Sequence, residues 1–309
     1  MPVNSILVAH TSLDAKALNG GRKPKLSGDV LDVTLFDVAD GEAIVVRKET
    51  RGLLIDGGSG SKTNDNGQEA QRLVARLPRG LKLDAIIASH PHRDHTNFYP
   101  YIARDAPELL RQGAVYYDNG TAPANNHWAT IEREKSRKLR LSCQSVTARA
   151  SLETPWAGTL LRTRKGKDVA YWSVFLALQH RQAWLLFTGD AKKSYEEDLL
   201  PDLVSITPRI HVLKITHHGS STGTSAKLVA RLNPSIAVAS CAKDSGHRLE
   251  DDVRTVRLHA AKVYATYEQW KEEGRPPPPR RGDLIVRTDG RARKIGGMRG
   301  VLFEVETSW

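Results

Sequence analysis

Between Leu31 and Gly58 the apolar residues fall into three short runs, "LDVTLFDV", "AIVVRKE" and "GLLIDGG", separated by Gly and Asp. Branched and aromatic side chains in runs of this length predict three consecutive strands in a meander. "GQEAQRLVARL" then repeats its apolar positions at helical spacing, and "LDAIIASH" reads as a buried strand. "GAVYYDNG" predicts another strand, and "HWATIEREKSRKLRLSCQ" a charged helix crowded with Arg133, Lys135, Arg137, Lys138 and Arg140. "VAYWSVFLALQHRQAWLLFTGDA" predicts a hairpin that turns between Gln179 and Gln182. Strand and helix alternate from there: "HVLKITHHG", "TSAKLVARL", "SIAVASC", "RLEDDVRTVRLHAA", "KVYAT" and "GDLIVRTDG". A meander followed by alternating units predicts an α/β protein whose sheets carry helices on their outer faces.

Composition bounds this picture. The 309 residues suffice for one large core, with residues 1–28 expected as an N-terminal extension and 29–309 as a single domain. "GRPPPPRRG" is expected to be a stiff surface loop. A hydrophobic fraction of 39% beside 26% charged residues suits a soluble globular protein, and no apolar run approaches the roughly 20 residues of a membrane helix. No membrane association is therefore expected. The first residues show no basic segment leading into an apolar block, which makes the cytoplasm the expected location. Two cysteines without close spacing point away from a disulfide framework or a cysteine-rich zinc site. A net charge of +11 favours a polyanionic partner such as nucleic acid, while nothing in the sequence specifies a protein partner.

The densest chemistry is "SHPHRDHTNF", where His90, His92, Asp94 and His95 crowd the loop after a strand. His90 and His92 alternate toward one side and Asp94 and His95 turn back beneath them, so one loop could feed two adjacent metal ions. Neutral imidazoles and a carboxylate suit zinc, manganese or iron. Other strand ends offer partners. "LLFTGDA" ends in Asp190, a candidate to bridge two metals; "LKITHHGSS" supplies His217 or His218; "LLIDGG" ends in Asp56, a candidate hydrogen-bond acceptor that orients a ligand.

The order "LLIDGG", "SHPHRDH", "FTGD", "THHGS" resembles the metallo-β-lactamase fold hydrolases. More narrowly, "VTLFDVADGEAIVV", "LKITHHGSS" and "NPSIAVAS", with "VYAT" before "GDLIVRTDG", are similar to the hydrolase domain of ComEC-type competence proteins, over about Leu31 to Gly290. The resemblance implies an αββα four-layer sandwich with a binuclear metal site at its edge, and phosphodiester hydrolysis. It also implies departures. Thr96 and Asn97 stand where the family has a glycine pair, and "DVADGE", with Ala39 and Glu42, stands for "DVGQGD". The third histidine of the first metal in many family members has only His127 as a loop candidate, since His180 lies at the far end of its strand. His247 matches a late Gly-His that could contact a metal-bound phosphate or bind metal itself, with helix capping as the alternative. His10, His211 and His259 have no supporting context.

The chain is therefore expected to be a binuclear metal-dependent hydrolase carrying two divalent ions, zinc or manganese, with Asp94, Asp190 and His247 at the reacting atoms. A metal-bridging hydroxide acting on DNA or RNA is the leading expectation, as a nuclease or phosphodiesterase. Ser220 and Ser221 could hold an anionic substrate at a helix start, although an ordinary helix cap serves equally for that stretch. The basic residues Arg162, Arg164, Lys165, Lys167, Lys192, Lys193, Arg280 and Arg281 are candidates to hold nucleic acid. Two alternatives stand beside this: a small-molecule hydrolase for a lactone, lactam or phosphate ester, and a catalytically weak nucleic-acid-binding module.

Overall fold

Each strand that enters the interior divides its side chains between two faces, and that alternation builds the layers. The computed structural model describes residues 26–39, 41–60, 66–120, 141–162, 172–241, 256, 262–268, 280–295 and 298–308. Strands β1 (Leu31–Leu35), β2 (Ala43–Lys48) and β3 (Arg51–Gly57) form the expected antiparallel meander. β4 (Lys82–Ile87), β5 (Leu110–Asp118) and β6 (Ser142–Ser145) follow in parallel, each beside the last.

The second sheet comprises β7 (Arg149–Ser151), β8 (Ala157–Arg162), β9 (Val174–His180), β10 (Ala183–Phe187), β11 (Val212–Lys214), β12 (Ile236–Ala239) and β13 (Lys262–Ala265), in the order β13-β12-β11-β10-β9-β8-β7. β10 to β13 run parallel. β14 (Tyr267–Glu268) and β15 (Arg280–Arg281) form a small ribbon. β16 (Leu284–Thr288) and, after a ribbon of β17 (Ala292–Ile295) and β18 (Met298–Val301), β19 (Glu304–Thr307) return to the first sheet, whose order is β19-β16-β1-β2-β3-β4-β5-β6.

Leu53 and Ile55 of β3, Leu176 and Leu178 of β9, and Leu185 and Phe187 of β10 meet in the core between the two sheets. Leu54 and Tyr116 face outward, onto helices α1 (Asn66–Arg76) and α3 (Tyr99–Asp105), which flank the short α2 (Arg93–Thr96) in sequence. Ala70, Leu73 and Val74, with Leu77 just past the last turn, provide the i, i+3, i+4, i+7 stripe of α1. Phe175, Leu186 and Leu213 face the opposite way, onto α4 (Lys193–Ile206) and α5 (Ala226–Leu232). The result is the four-layer αββα sandwich. Both faces of the central strands are covered, so their sequences read as almost unbroken apolar runs.

Some expectations need correction. The charged helix expected up to Gln144 does not reach that far: Ser142–Ser145 is β6, an exposed edge strand set by pairing with β5. The expected helix up to Arg140, with His127, lies outside the described residues. The β9–β10 hairpin turns at Arg181 and Gln182, between paired His180 and Ala183, one residue later than expected. β1 opens at Leu31, and the Ser27 N–H donates to Asp289 Oδ2 at 3.1 Å, so the chain just before it is tied to the body. Among the described residues, no helix is long and apolar enough to cross a membrane.

Candidate metal centre

The carboxyl ends of β3 and β4 in one sheet, and of β10, β11 and β12 in the other, meet at one edge of the sandwich. Asp56 ends β3 in a left-handed conformation, φ 54°. Its Oδ1 accepts the Ser89 N–H at 2.7 Å, and its Oδ2 accepts the Ser89 hydroxyl at 2.7 Å and lies 2.8 Å from His95 Nδ1. The Ser89 oxygen in turn lies 3.0 Å from His90 Nδ1. One carboxylate thus orients two imidazoles, His95 directly and His90 through a hydroxyl. The His218 Nδ1 is 3.0 Å from the Ser240 carbonyl, at the end of β12. With Nδ1 occupied in each ring, all three imidazoles present Nε2 to the same space.

Asp190, just past β10, is what they face. Its Oδ2 lies 3.2 Å from His95 Nε2, 3.6 Å from His218 Nε2, and 3.8 Å from the Nε2 atoms of both His90 and His217. Asp94 Oδ2 lies 3.6 Å from the Nε2 atoms of His95 and His218. His95 and His218 bring their Nε2 atoms to 3.2 Å of each other. Asp94, His95, Asp190 and His218 form a group that could hold a metal ion. His92 joins from the side, its ring 4.6 Å from that of His90. Among the described residues, His90 Nε2 and Asp190 Oδ1 are buried without a hydrogen-bond partner. Such orphaned donor atoms, beside crowded imidazole nitrogens, fit a bound cation better than a dry polar core.

The electrostatics agree. Burial and the neighbouring His95 push His90 well below the ordinary imidazole value, leaving the ring neutral. Burial opposes a proton on His95 and on His218, but the surrounding carboxylates, Asp190 foremost, raise both. Burial would raise Asp190 and Asp94, yet His95 and His218 hold both carboxyls below the usual range.

Close backbone approach completes the frame. A Cβ on Gly58 would come within 2.4 Å of the Asp94 carbonyl carbon, so only glycine fits beneath the loop. His217 and His218 both take φ 52°, a strained pair of left-handed residues that turns both rings toward Asp190. Thr96 and Asn97 tighten the motif loop. Thr96 Oγ1 donates to the His92 carbonyl at 3.0 Å, while the Asn97 amide accepts the Ser59 N–H at 3.0 Å and donates to the Ser59 carbonyl at 2.7 Å.

A family model described as the metallo-beta-lactamase superfamily matches residues 37–129, the span holding Asp56 and the whole His90–His95 loop. The chain carries a metallo-beta-lactamase superfamily domain. Recombination protein 2 of Haemophilus influenzae is 27% identical over 245 residues, covering 77% of this chain and 28% of the relative. Competence protein ComA of Neisseria gonorrhoeae is 26% identical over 243 residues, covering 76% of this chain and 30% of the relative. The chain thus spans less than a third of the length of either. The solved metallo-beta-lactamase fold protein YhfI of Bacillus subtilis superposes with a TM-score of 0.52 at 14% identity, over 77% of this chain and 96% of that one. That likeness shows the shared fold.

The remaining expected residues of this metallo-beta-lactamase domain sort by position. His127, His247, Arg164, Lys165 and Lys167 lie outside the described residues. Ser220 is buried against Thr222, and the cap of α5 is Ser225, whose hydroxyl accepts the Leu228 N–H at 3.1 Å. The Ser221 carbonyl accepts from Lys193 Nζ at 2.7 Å. Arg162 is engaged inside the fold, donating to the Asn119 and Thr147 carbonyls with its guanidinium 5.1 Å over the Trp172 ring. Arg280 and Arg281 form β15. His180 Nε2 lies 3.1 Å from the Asp29 carbonyl, far from the cluster along its strand.

Sequence reasoning did not assign three groups. Ser89 lies inside the quoted motif, but nothing marks its hydroxyl as a link. Lys214 interrupts an otherwise apolar strand, which is a legible signal, and is ion-paired to buried Glu42. Burial opposes the Lys214 charge, but Glu42, Asp190 and Asp56 raise its pKa. Buried Glu196 accepts from the Thr216 hydroxyl and, at 2.5 Å, from the Ser225 N–H, tying α4 to the histidine turn.

Proposed function

We propose that this chain is a metal-dependent phosphodiesterase acting on nucleic acid, and that His90, His92, Asp94, His95, Asp190 and His218 hold its ions. The observation that carries this reading is the convergence of four imidazole Nε2 atoms within 3.8 Å of Asp190 Oδ2. A mixed set of imidazoles and carboxylates suits zinc or manganese. Two such ions, when bound, acidify water and neutralise charge on a phosphoryl oxygen.

The chain's own residues have distinct tasks. Asp56 and Ser89 keep the His95 and His90 rings turned so that Nε2 faces inward. Asp190, buried among the histidines, is the shared carboxylate between the two halves of the site. His218 is the ligand rather than His217, because its Nδ1 is tied to Ser240 and its Nε2 faces both carboxylates; His217 sits at the rim. The Asp94 side chain is 30% exposed against 2% for Asp190, so Asp94 is the carboxylate at the mouth of the site, where substrate arrives.

Nucleic acid is favoured as substrate by the net charge of +11 and by Lys192 and Lys193, directly after the Asp190 turn. The names of the relatives speak of recombination and competence. The test is cleavage of labelled single- and double-stranded DNA and RNA by protein stripped of metal and reloaded with manganese or zinc, beside Asp94→Ala and His95→Ala controls. Metal-dependent cutting that disappears in the controls is the expected result. Intact nucleic acid in the presence of two bound ions per chain would overturn the substrate and leave a small-molecule hydrolase.

A further inference from the structure

Lys214 and Glu42 are sealed inside the sandwich, directly beneath the metal centre. Lys214 belongs to β11, which leads into His217 and His218; Glu42 lies in the loop before β2, on the other sheet. The Lys214 ammonium is ion-paired to Glu42 Oε2 and lies 3.3 Å from the carbonyl of Gly189, the residue before Asp190. The Glu42 N–H donates to the Asp94 carbonyl at 3.0 Å. A line of contacts therefore runs from Asp190 through Gly189, Lys214 and Glu42 to Asp94.

Stability is a poor explanation for such a pair. Desolvating two charges offsets most of their attraction, and apolar residues of similar volume often serve as well or better. Position is a better one. Asp190 and Asp94 come from different sheets, and an ion held between them needs their loops at a set separation. We propose that Lys214 and Glu42 are positioning residues, a cross-sheet clasp that holds the Asp190 loop against the Asp94 loop and thereby sets metal affinity. This inference rests on the reading of the cluster as a metal centre.

A charge-balanced variant separates positioning from electrostatics. Lys214→Met alone would leave a buried carboxylate free to attract metal, masking a lost clasp. The double variant Glu42→Met/Lys214→Met removes one charge of each sign and keeps most of the volume. The experiment is calorimetric titration of stripped full-length protein with manganese and with zinc, beside the thermal midpoint of both metal-free proteins. The clasp predicts a midpoint within a few degrees of wild type and a metal Kd raised about tenfold or more, the scale of losing an outer support of a metal ligand. An unchanged Kd in the folded double variant would leave the pair as interior filling and overturn the proposal. A double variant that cannot fold without metal would assign the pair to stability and overturn it too. Wild-type protein that takes up no metal would remove the metal reading itself, an outcome visible before any variant is made.

Discussion

Asp56 touches no Nε2 atom of the cluster, yet its two oxygens govern the orientation of two of the rings. Asp56→Asn keeps the shape but replaces one acceptor oxygen with a donor, which cannot satisfy both the Ser89 N–H and the His95 Nδ1. Metal affinity is expected to fall by about 10- to 100-fold while the fold is retained, read by competition with a chelator and by far-ultraviolet circular dichroism. The titration of the rings adds a second expectation. His95 and His218 are raised above the ordinary 6.5, so protons compete for the space between their Nε2 atoms in the metal-free protein over a window from near that value upward. A cation must displace them. Affinity is therefore expected to weaken as pH falls through that window and to strengthen above it, with proton release visible as a buffer-dependent heat of binding. His90, depressed well below 6.5, adds no competing proton there.

At the scale of elements, the histidine turn after β11 is strained in itself and is held from outside. Glu196 on α4 accepts from Thr216 and Ser225, and the Thr216 hydroxyl also lies 3.0 Å from that of Thr188 beside the Asp190 turn. Glu196→Leu would leave the buried Ser225 N–H without its acceptor and would cut the tie from α4 to Thr216. A loss of about 1–3 kcal/mol in urea unfolding is expected, accompanied by weaker metal binding because His218 loses its fixed turn. The same element escapes notice in the sequence for a physical reason. Its apolar positions Tyr195, Leu199, Leu200, Leu203 and Val204 keep helical spacing, but Pro201 in their midst reads as a helix breaker although the helix runs through it. β6 escapes notice because "SCQS" carries no alternation at all; its four exposed residues are a strand only through pairing with β5.

Across the whole molecule, the two sheets present their carboxyl ends at one edge, and the sequence carries 46 basic against 35 acidic residues. Nucleic-acid affinity is expected to fall linearly in log Kd against log salt, measured by fluorescence anisotropy with metal-stripped protein, which binds without cutting. A flat response would argue for a substrate recognised by shape rather than by a phosphate backbone.

By itself, the sequence determined what is encoded locally. The short, almost unbroken apolar runs define strands with two buried faces, and the seven residues His90 to Thr96 place three imidazoles and a carboxylate in one loop. Asp56 and Asp190 are legible as the last polar residues of apolar strands. Only the tertiary structure decided which distant groups meet: His218 against His95, Asp190 among four rings, Lys214 against Glu42, Ser89 between Asp56 and His90. Those pairings depend on which strand ends lie opposite one another when two twisted sheets stack, and a short-range pattern of hydrophobicity carries no record of that juxtaposition.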